Sequence, residues 1–379
     1  MNNNPLIELG KLGQSVWLDN LSRKLITSGK LSRFIEEDGL KGITSNPTIF
    51  QKAISGSADY DGLVREFMDR GITTEKELFL NLAIRDVSDA ADLLLPVYEK
   101  TNGRDGYVSI EVSPDLAYDH DATIKEAEYL FSTIGRKNIL VKVPATAVCI
   151  PAIEHLIAEG ININITLLFS VKRYEDVAEA YIRGIEKRTE KNQPVNTIAS
   201  VASFFVSRVD TLVDKLLTEK MSLEQTEGKK ENIRNLFGRA AVANAKNAYT
   251  RYLSIFSSKR FLSVQSKGGA SQRVLWASTG TKNPAYKDAK YVEELIAPDT
   301  VNTMPEALMD AFRDHGKITA DIRDSAGKDG PFFSELRAAG IDIEEVAGEL
   351  EKEGVKLFAD SFTAVLSEVA KKMDILLSK

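Results

Sequence analysis

One lysine of this chain lies where a charged residue is rarely found, inside a short apolar run. In the segment Ile139–Val143, Lys142 is surrounded by isoleucine, leucine and two valines, the pattern of a β-strand that is covered on both faces. Desolvation lowers the pKa of a buried lysine and leaves part of the amine neutral, so that it can form a Schiff base with a carbonyl compound. The alternative is a lysine whose ammonium reaches solvent or pairs with a carboxylate. Other residues must decide between the two interpretations.

Polar residues that could assist such chemistry occur at the ends of other predicted strands. They are Asp19, Asn46, Glu111, Asn164, Thr166, Ser203 and Ser278. Taken singly, each is of a type that commonly serves as a helix cap or a turn residue. However, Glu111, Asn164 and Thr166 interrupt apolar runs, and buried polar side chains need partners or a ligand. One lysine with two carboxylates, two amides and several hydroxyls is a set suited to Schiff-base chemistry at a carbon–carbon bond.

Composition argues against several other classes of function. The 49 lysine and arginine residues and the 55 acidic residues give a net charge of −6. No segment is strongly basic, so binding to nucleic acid is not expected. The three histidines and the single cysteine, Cys149, are too scattered along the sequence to indicate a metal site. Neither a GxGxxG motif nor a P-loop motif occurs, so the signatures of dinucleotide and nucleotide binding are missing.

The cysteine count and the apolar runs bear on the compartment. A single cysteine can form no intrachain disulfide, which fits a reducing environment. The N-terminus lacks the pattern of a secretory signal, and no apolar run approaches the roughly 18–20 residues of a membrane span. We therefore expect a cytoplasmic protein that has no membrane partner. The sequence leaves monomer and homodimer equally open.

Short β-rich runs alternate with amphipathic helical patterns, which predicts a parallel sheet with crossover helices. The predicted strands are Ser15–Asp19, Gly42–Asn46, Tyr107–Val112, Ile139–Val143, Asn162–Leu168, Thr197–Phe204, Val274–Ser278 and Glu294–Val301. Eight strands favour an α/β fold of the (β/α)8 TIM barrel type, as a single domain over residues 1–379. We expect helical insertions in 47–106 and 207–273, and C-terminal helices after Pro331. In such a barrel, the C-terminal ends of the strands bring the polar residues together.

Four segments resemble the motifs of the transaldolase family, in the same order and with the same spacing. They are Gly42–Thr48, Ile110–Asp115, Ile139–Thr146 and Gly160–Phe169. Two more, Gly238–Lys246 and Leu275–Pro284, are similar to the longer bacterial subfamily. The resemblance implies a (β/α)8 barrel with no cofactor and no metal. It also implies transfer of a dihydroxyacetone unit from sedoheptulose 7-phosphate to glyceraldehyde 3-phosphate, in the pentose phosphate pathway.

The resemblance assigns catalytic roles to four residues. Lys142 matches the Schiff-base lysine, and Asp19 matches the acid/base at the C4 hydroxyl of the donor sugar. Glu111 matches the carboxylate that assists dehydration of the carbinolamine through a water beside Thr166. Six further residues match substrate-binding positions: Asn46 and Asn164 for the dihydroxyacetone hydroxyls, Ser203, Arg208 and Ser278 for the phosphate, and Lys282 in place of an arginine of shorter members.

Three alternatives remain open on the sequence alone. A fructose 6-phosphate aldolase-like lyase would use the same lysine but release free dihydroxyacetone, although such relatives are much shorter. A non-catalytic sugar-phosphate-binding protein would not need the lysine and both carboxylates together. Arg208 could pair with Asp210 or Asp214 on its own helix rather than with a phosphate.

The chain departs from the family pattern just after Thr146. Val148 and Cys149 stand where the family usually carries an acidic residue and a glycine. We expect two apolar residues at this strand-to-helix turn to reshape the mouth of the site, with more effect on substrate affinity than on chemistry.

Overall fold

The computed structural model describes residues 4–318, 321–325 and 327–378. Within them, eight parallel strands pair in chain order, and the eighth pairs with the first to close a barrel. The strands are β1 (Gln14–Asp19), β2 (Gly42–Thr44), β3 (Tyr107–Glu111), β4 (Ile139–Pro144), β5 (Ile163–Leu168), β6 (Ser200–Phe205), β7 (Arg273–Ala277) and β8 (Thr300–Met304). The predicted (β/α)8 barrel is confirmed.

Helices follow the strands around the barrel. They are α1 (Pro5–Lys11), α2 (Arg23–Thr27), α3 (Lys30–Glu37), α4 (Pro47–Ile54), α5 (Asp61–Asp69), α6 (Glu75–Lys100), α7 (His120–Ile134), α8 (Ile150–Glu159), α9 (Val171–Glu190), α10 (Ser207–Leu223), α11 (Glu227–Arg234), α12 (Ala240–Phe256), α13 (Lys259–Gln265), α14 (Lys290–Glu293), α15 (Glu306–His315), α16 (Gly330–Ala338) and α17 (Ile343–Leu377). Three short 3-10 turns lie at Ala58–Tyr60, Pro114–Leu116 and Ile322–Asp324. None of the helices in the described ranges has the length and apolar character that crossing a lipid bilayer requires.

The burial of the strands explains why they occur in the sequence as apolar runs. Every residue of β4 through β8 is buried, because the helices cover the outer face and side chains fill the interior. The expected insertions are also present: α4 to α6 lie between β2 and β3, and α10 to α13 lie between β6 and β7. Polar residues on the buried strands are therefore exceptions that need a partner or a ligand.

The predicted position of the eighth strand is wrong. Glu294–Val301 was expected, whereas β8 begins at Thr300. The apolar run Leu295–Ala297 is buried in a loop, where the Leu295 carbonyl accepts a hydrogen bond from Gln14 Nε2 at 2.7 Å. Pro298 has no N–H to donate to a ladder, and Asp299 has a φ of 59°, in the left-handed region that an extended strand excludes.

The sixth strand also begins later than predicted, at Ser200 rather than Thr197. The Ile198 N–H donates to the Val195 carbonyl at 3.2 Å, so the residues before Ser200 form a turn. A run of β-prone residues does not by itself distinguish a strand from a buried turn that leads into it.

The C-terminal helix α17 packs on the side of the barrel where the strands end. Gly354 lies against Leu167 at the end of β5, and the hydroxyls of Ser361 and Thr48 of α4 are hydrogen-bonded at 2.8 Å. Further along, Phe362 packs edge-on against Phe79 of α6. The expected C-terminal helices are thus present, and α17 covers the face of the barrel on which the predicted site residues lie.

Candidate active site

A cavity of about 290 Å³ opens at the C-terminal ends of the strands. The last residues of β1, β2 and β7, namely Asp19, Thr44 and Ala277, line it. Eight of the ten residues predicted from the sequence also line it: Asp19, Asn46, Lys142, Thr166, Ser203, Arg208, Ser278 and Lys282. The other two contact members of this set, since Glu111 pairs with Lys142 and Asn164 is hydrogen-bonded to Ser203.

Lys142 lies near the end of β4 with only 5% of its surface exposed. Its strand neighbours are Glu111 on β3 and Asn164 on β5. The Nζ atom donates a hydrogen bond to the Ser45 carbonyl at 3.2 Å and lies 3.5 Å from Glu111 Oε2. Strand pairing therefore fixes the lysine beside a single carboxylate, inside a cavity that small molecules can enter.

The environment of Glu111 changes its acidity. Burial raises the pKa of this carboxyl to about 7, although the charge of Lys142 acts in the opposite direction. In the described residues, the Glu111 Oε2 atom accepts no hydrogen bond, although Lys142 Nζ lies 3.5 Å away. The buried hydroxyl of Thr166 has no hydrogen-bond partner there either. Unpaired polar atoms in such a place are suited to hold a water or a substrate hydroxyl. A carboxyl with a pKa near 7 can both give and take a proton at neutral pH.

Asp19 is the second carboxylate of the cavity. Burial raises its pKa above the ordinary value, and the charge of Lys142, a hydrogen bond from Thr44 and the charge of Lys282 oppose this effect. The Thr44 hydroxyl donates to Asp19 Oδ1 at 2.7 Å and lies 2.7 Å from the Thr303 hydroxyl. The carboxylate is thus held in one orientation by residues of β2 and β8.

The two amides differ in their surroundings. Asn164 is fully buried, with its Nδ2 donating to Ser109 Oγ at 3.0 Å and its Oδ1 accepting from Ser203 Oγ at 2.7 Å. Asn46 caps helix α4, since its Oδ1 accepts from the Ile49 N–H at 3.1 Å. Capping directs the Asn46 side chain to a fixed position at the cavity wall and leaves its Nδ2 group to donate to a ligand.

Arg208 and Lys282 bring positive charge to the cavity. Burial lowers the pKa of Arg208, whose guanidinium lies over the ring of Phe205 at 5.9 Å. Partial burial lowers the pKa of Lys282, and the charge of Arg208 lowers it further. Beside them, Ser278 has a φ of 55°, and its hydroxyl is 3.0 Å from that of Ser207. A non-glycine residue in this conformation is strained and must be held by its surroundings.

The carboxylates on the helix of Arg208 have other partners. Asp210 accepts hydrogen bonds from the Ala241 N–H and the Tyr291 hydroxyl, at 2.7 and 2.9 Å. Asp214 similarly accepts from the Gly238 N–H and from Tyr286. In the described part of the chain, no carboxylate forms an ion pair with Arg208 within 4.0 Å, and the charge of Glu353 acts on it only from farther away, so the guanidinium is available to an anion.

Ten of the residues that line the cavity were not predicted, among them a cation and an aromatic residue. Lys52 comes from α4 and Phe358 from α17. Their only sequence signals were a lysine six residues after Asn46 and a phenylalanine in the C-terminal helical pattern. In contrast, Val148 and Cys149 do not line the cavity. Val148 is exposed, and the Cys149 thiol is buried against the Ala117 carbonyl at 3.4 Å.

Metal-ligating side chains do not cluster in the part of the chain that the structure describes. No group of three or more histidine, cysteine, aspartate or glutamate residues there could hold an ion. The cavity is lined by a lysine amine, one carboxylate, one amide, hydroxyls and further cations, and a second carboxylate and a second amide lie directly beside it. These groups can bind a polyhydroxylated anion and exchange protons with it.

Comparison with known proteins decides the family. The model of the transaldolase/fructose-6-phosphate aldolase family matches residues 16–369. The chain belongs to this family. The transaldolase of Saccharopolyspora erythraea is 46% identical over 98% of both chains. That of Trichodesmium erythraeum is 44% identical, also over 98% of both chains, and that of Thermobifida fusca is 44% identical over 97% of this chain and 98% of its own.

For this member of the transaldolase family we predict that Glu111 titrates with an apparent pKa of about 7. Because this value lies above the ordinary 4.5, the carboxyl stabilises the fold most below pH 4.5, and that contribution is lost as the pH rises through 7. Lys142→Met should raise the pKa further, since it removes the cation that favours the ionised form.

Carbon-13 NMR of labelled glutamate carboxyls measures this pKa, with Glu111→Gln assigning the signal. Lys259→Met is the control, because Lys259 is an exposed lysine on α13. It should leave the titration of Glu111 unchanged. An apparent pKa near 4.5 in the unmodified protein, or a lower pKa in Lys142→Met, contradicts the assignment.

Proposed function

We propose that this protein is a transaldolase of the pentose phosphate pathway. It transfers a dihydroxyacetone unit from sedoheptulose 7-phosphate to glyceraldehyde 3-phosphate and so gives erythrose 4-phosphate and fructose 6-phosphate. The observation that carries this proposal is the buried amine of Lys142, 3.5 Å from the Glu111 carboxylate, in a cavity that is also lined by Asp19 and three further cationic residues. The names of the relatives at 44–46% identity support the same activity.

The first step joins the donor sugar to Lys142. The amine attacks the donor carbonyl carbon, a carbon–nitrogen bond forms, and the carbinolamine then loses water to give the imine. Glu111 can supply and remove the protons of this dehydration, because its pKa of about 7 keeps both forms populated at neutral pH. The unpaired Thr166 hydroxyl holds the water that relays these protons.

The second step breaks the carbon–carbon bond. Asp19 takes the proton of the C4 hydroxyl, the C3–C4 bond breaks, and its electron pair moves into the protonated imine to give an enamine on Lys142. The aldehyde leaves, and an acceptor aldehyde enters and reacts by the reverse path. Burial raises the pKa of Asp19 against the charges of Lys142 and Lys282, and a raised pKa makes the carboxylate a stronger general base, worth roughly 10²–10⁴-fold in rate.

The remaining predicted residues bind the substrate. Arg208, Lys282 and Ser278 hold the phosphate, for which a guanidinium offers a bidentate donor. Asn46 and Asn164 hold the dihydroxyacetone hydroxyls, with Ser203 orienting Asn164 through their 2.7 Å hydrogen bond. The phosphate role assigned to Ser203 from the sequence thus becomes one of positioning the amide, since its hydroxyl already donates to Asn164.

Dependence on an acceptor aldehyde tests this function. We expect fructose 6-phosphate with erythrose 4-phosphate to yield glyceraldehyde 3-phosphate, detected by a coupled assay, and fructose 6-phosphate alone to yield little. Lys142→Arg should be folded and inactive, because arginine remains protonated and cannot form the imine. Equal turnover without the acceptor would identify a lyase of the fructose 6-phosphate aldolase type. Binding with no product would identify a non-catalytic binding protein.

Arg208→Ala tests the phosphate site. Loss of one partner of a charge-assisted hydrogen bond costs roughly 1.5–3 kcal/mol, so we expect the KM for fructose 6-phosphate to rise about 10- to 100-fold. The KM for unphosphorylated fructose should change much less. Arg33→Ala is the matched control, since Arg33 is an exposed arginine on α3. Comparable losses for both sugars would refute the phosphate role of Arg208.

A further inference from the structure

One face of helix α4 lines the cavity. Its residues there are Thr48, Ile49 and Lys52. Lys52 follows the other two by four and three positions, the spacing at which side chains share one face of a helix. The helix itself is fixed at its start by the Asn46 cap and Pro47, and near Thr48 by the hydrogen bond to Ser361 of α17. The position of Lys52 at the cavity therefore follows from the way α4 is held.

Besides Lys142, three cationic residues line the cavity: Lys52, Arg208 and Lys282. The three come from separate elements: α4, α10 and the loop after β7. Partial burial is the largest cause that lowers the pKa of Lys282, the charges of Arg208 and Lys52 lower it further, and the charge of Asp19 opposes them. Among the described residues, no carboxylate forms an ion pair with any of the three within 4.0 Å.

The three cations repel one another, while Asp19 attracts Lys282 and Glu353 attracts Arg208 from beyond ion-pair distance. Many other lysines and arginines of this protein are paired, as Arg260 is with Glu186 at 2.6 Å. A phosphate dianion would relieve the repulsion among the three, because it carries up to two negative charges and several acceptor oxygens. Lysine binds phosphate as a point charge on a flexible stem, so an exposed lysine at the rim can reach a bound anion.

We propose that Lys52 is a further phosphate-binding residue of the cavity and contributes to the preference for phosphorylated sugars. The proposal rests on the transaldolase function proposed above and deepens it. It adds a contact from α4 to those from Arg208, Lys282 and Ser278. Because Lys52 is exposed, its contribution is smaller than that of the half-buried Arg208 and is more sensitive to salt.

Lys52→Met tests the proposal, with Lys259→Met as the control that removes the same charge from an exposed site on α13. At low salt we expect the KM for fructose 6-phosphate to rise about 2- to 5-fold in Lys52→Met, the range of an exposed charge pair. Lys52→Arg should restore most of the affinity. The KM for unphosphorylated fructose should not change in any of the three variants.

Salt provides a second readout. The difference between Lys52→Met and the unmodified protein should shrink from 0.1 M to 1 M salt, as the screening length falls from about 10 Å to about 3 Å. Isothermal titration of inorganic phosphate measures the same contact without turnover, and Lys52→Met should bind it 2- to 5-fold more weakly at low salt, again the range of an exposed charge pair.

The outcomes separate the two proposals. If the unmodified protein turns over fructose 6-phosphate but Lys52→Met matches Lys259→Met in KM and in phosphate affinity, the role of Lys52 is overturned and the transaldolase function stands. If there is no turnover, that function fails, and phosphate titration still tests Lys52. Equal weakening for phosphorylated and unphosphorylated sugars would show that Lys52 supports the cavity wall rather than binding phosphate.

Discussion

The site depends on one buried ion pair between adjacent strands. Lys142 and Glu111 are strand neighbours on β4 and β3, each with 6% of its side chain exposed. Removing one partner of a buried pair leaves an uncompensated charge and costs about 3–5 kcal/mol, so each residue makes the burial of the other tolerable. The same pairing places the amine that we propose as the nucleophile beside a carboxyl whose pKa is about 7. Structural support and proposed chemistry thus come from one contact.

Two residues next to residues that line the cavity have a strained backbone. Leu167 and Ser278 have φ angles of 61° and 55°, and each directly follows a cavity residue at a strand end, Thr166 and Ala277. Strand pairing between β5 and β6 shifts at the same place as Leu167. Such conformations persist only where neighbouring structure holds them. Gly354 of α17 packs against Leu167, so the C-terminal helix supports the strained end of β5 as well as contributing Phe358 to the cavity.

Sequence patterns were sufficient to locate strands whose residues are buried along their whole length. They were insufficient to identify a cavity residue that is brought there by a contact with a distant part of the chain. Apolar runs located seven strands closely because buried strands of a barrel are apolar on both faces, whereas Leu295–Ala297 is equally apolar in a buried loop. The sequence identified eight of the residues that line the cavity. Lys52 and Phe358 were missed because helix packing, not a motif, brings them to the cavity. The pKa of Glu111 likewise depends on burial and on a 3.5 Å distance, neither of which a sequence gives.

The central claim is that Lys142 forms the covalent intermediate, and reductive trapping tests it most directly. The protein is incubated with fructose 6-phosphate and sodium borohydride, digested, and mapped by mass spectrometry. The account predicts a reduced three-carbon unit on the peptide that carries Lys142, and no such adduct in Lys142→Arg. An adduct on another cavity lysine, Lys52 or Lys282, or transaldolase turnover with no adduct at all, would contradict the account.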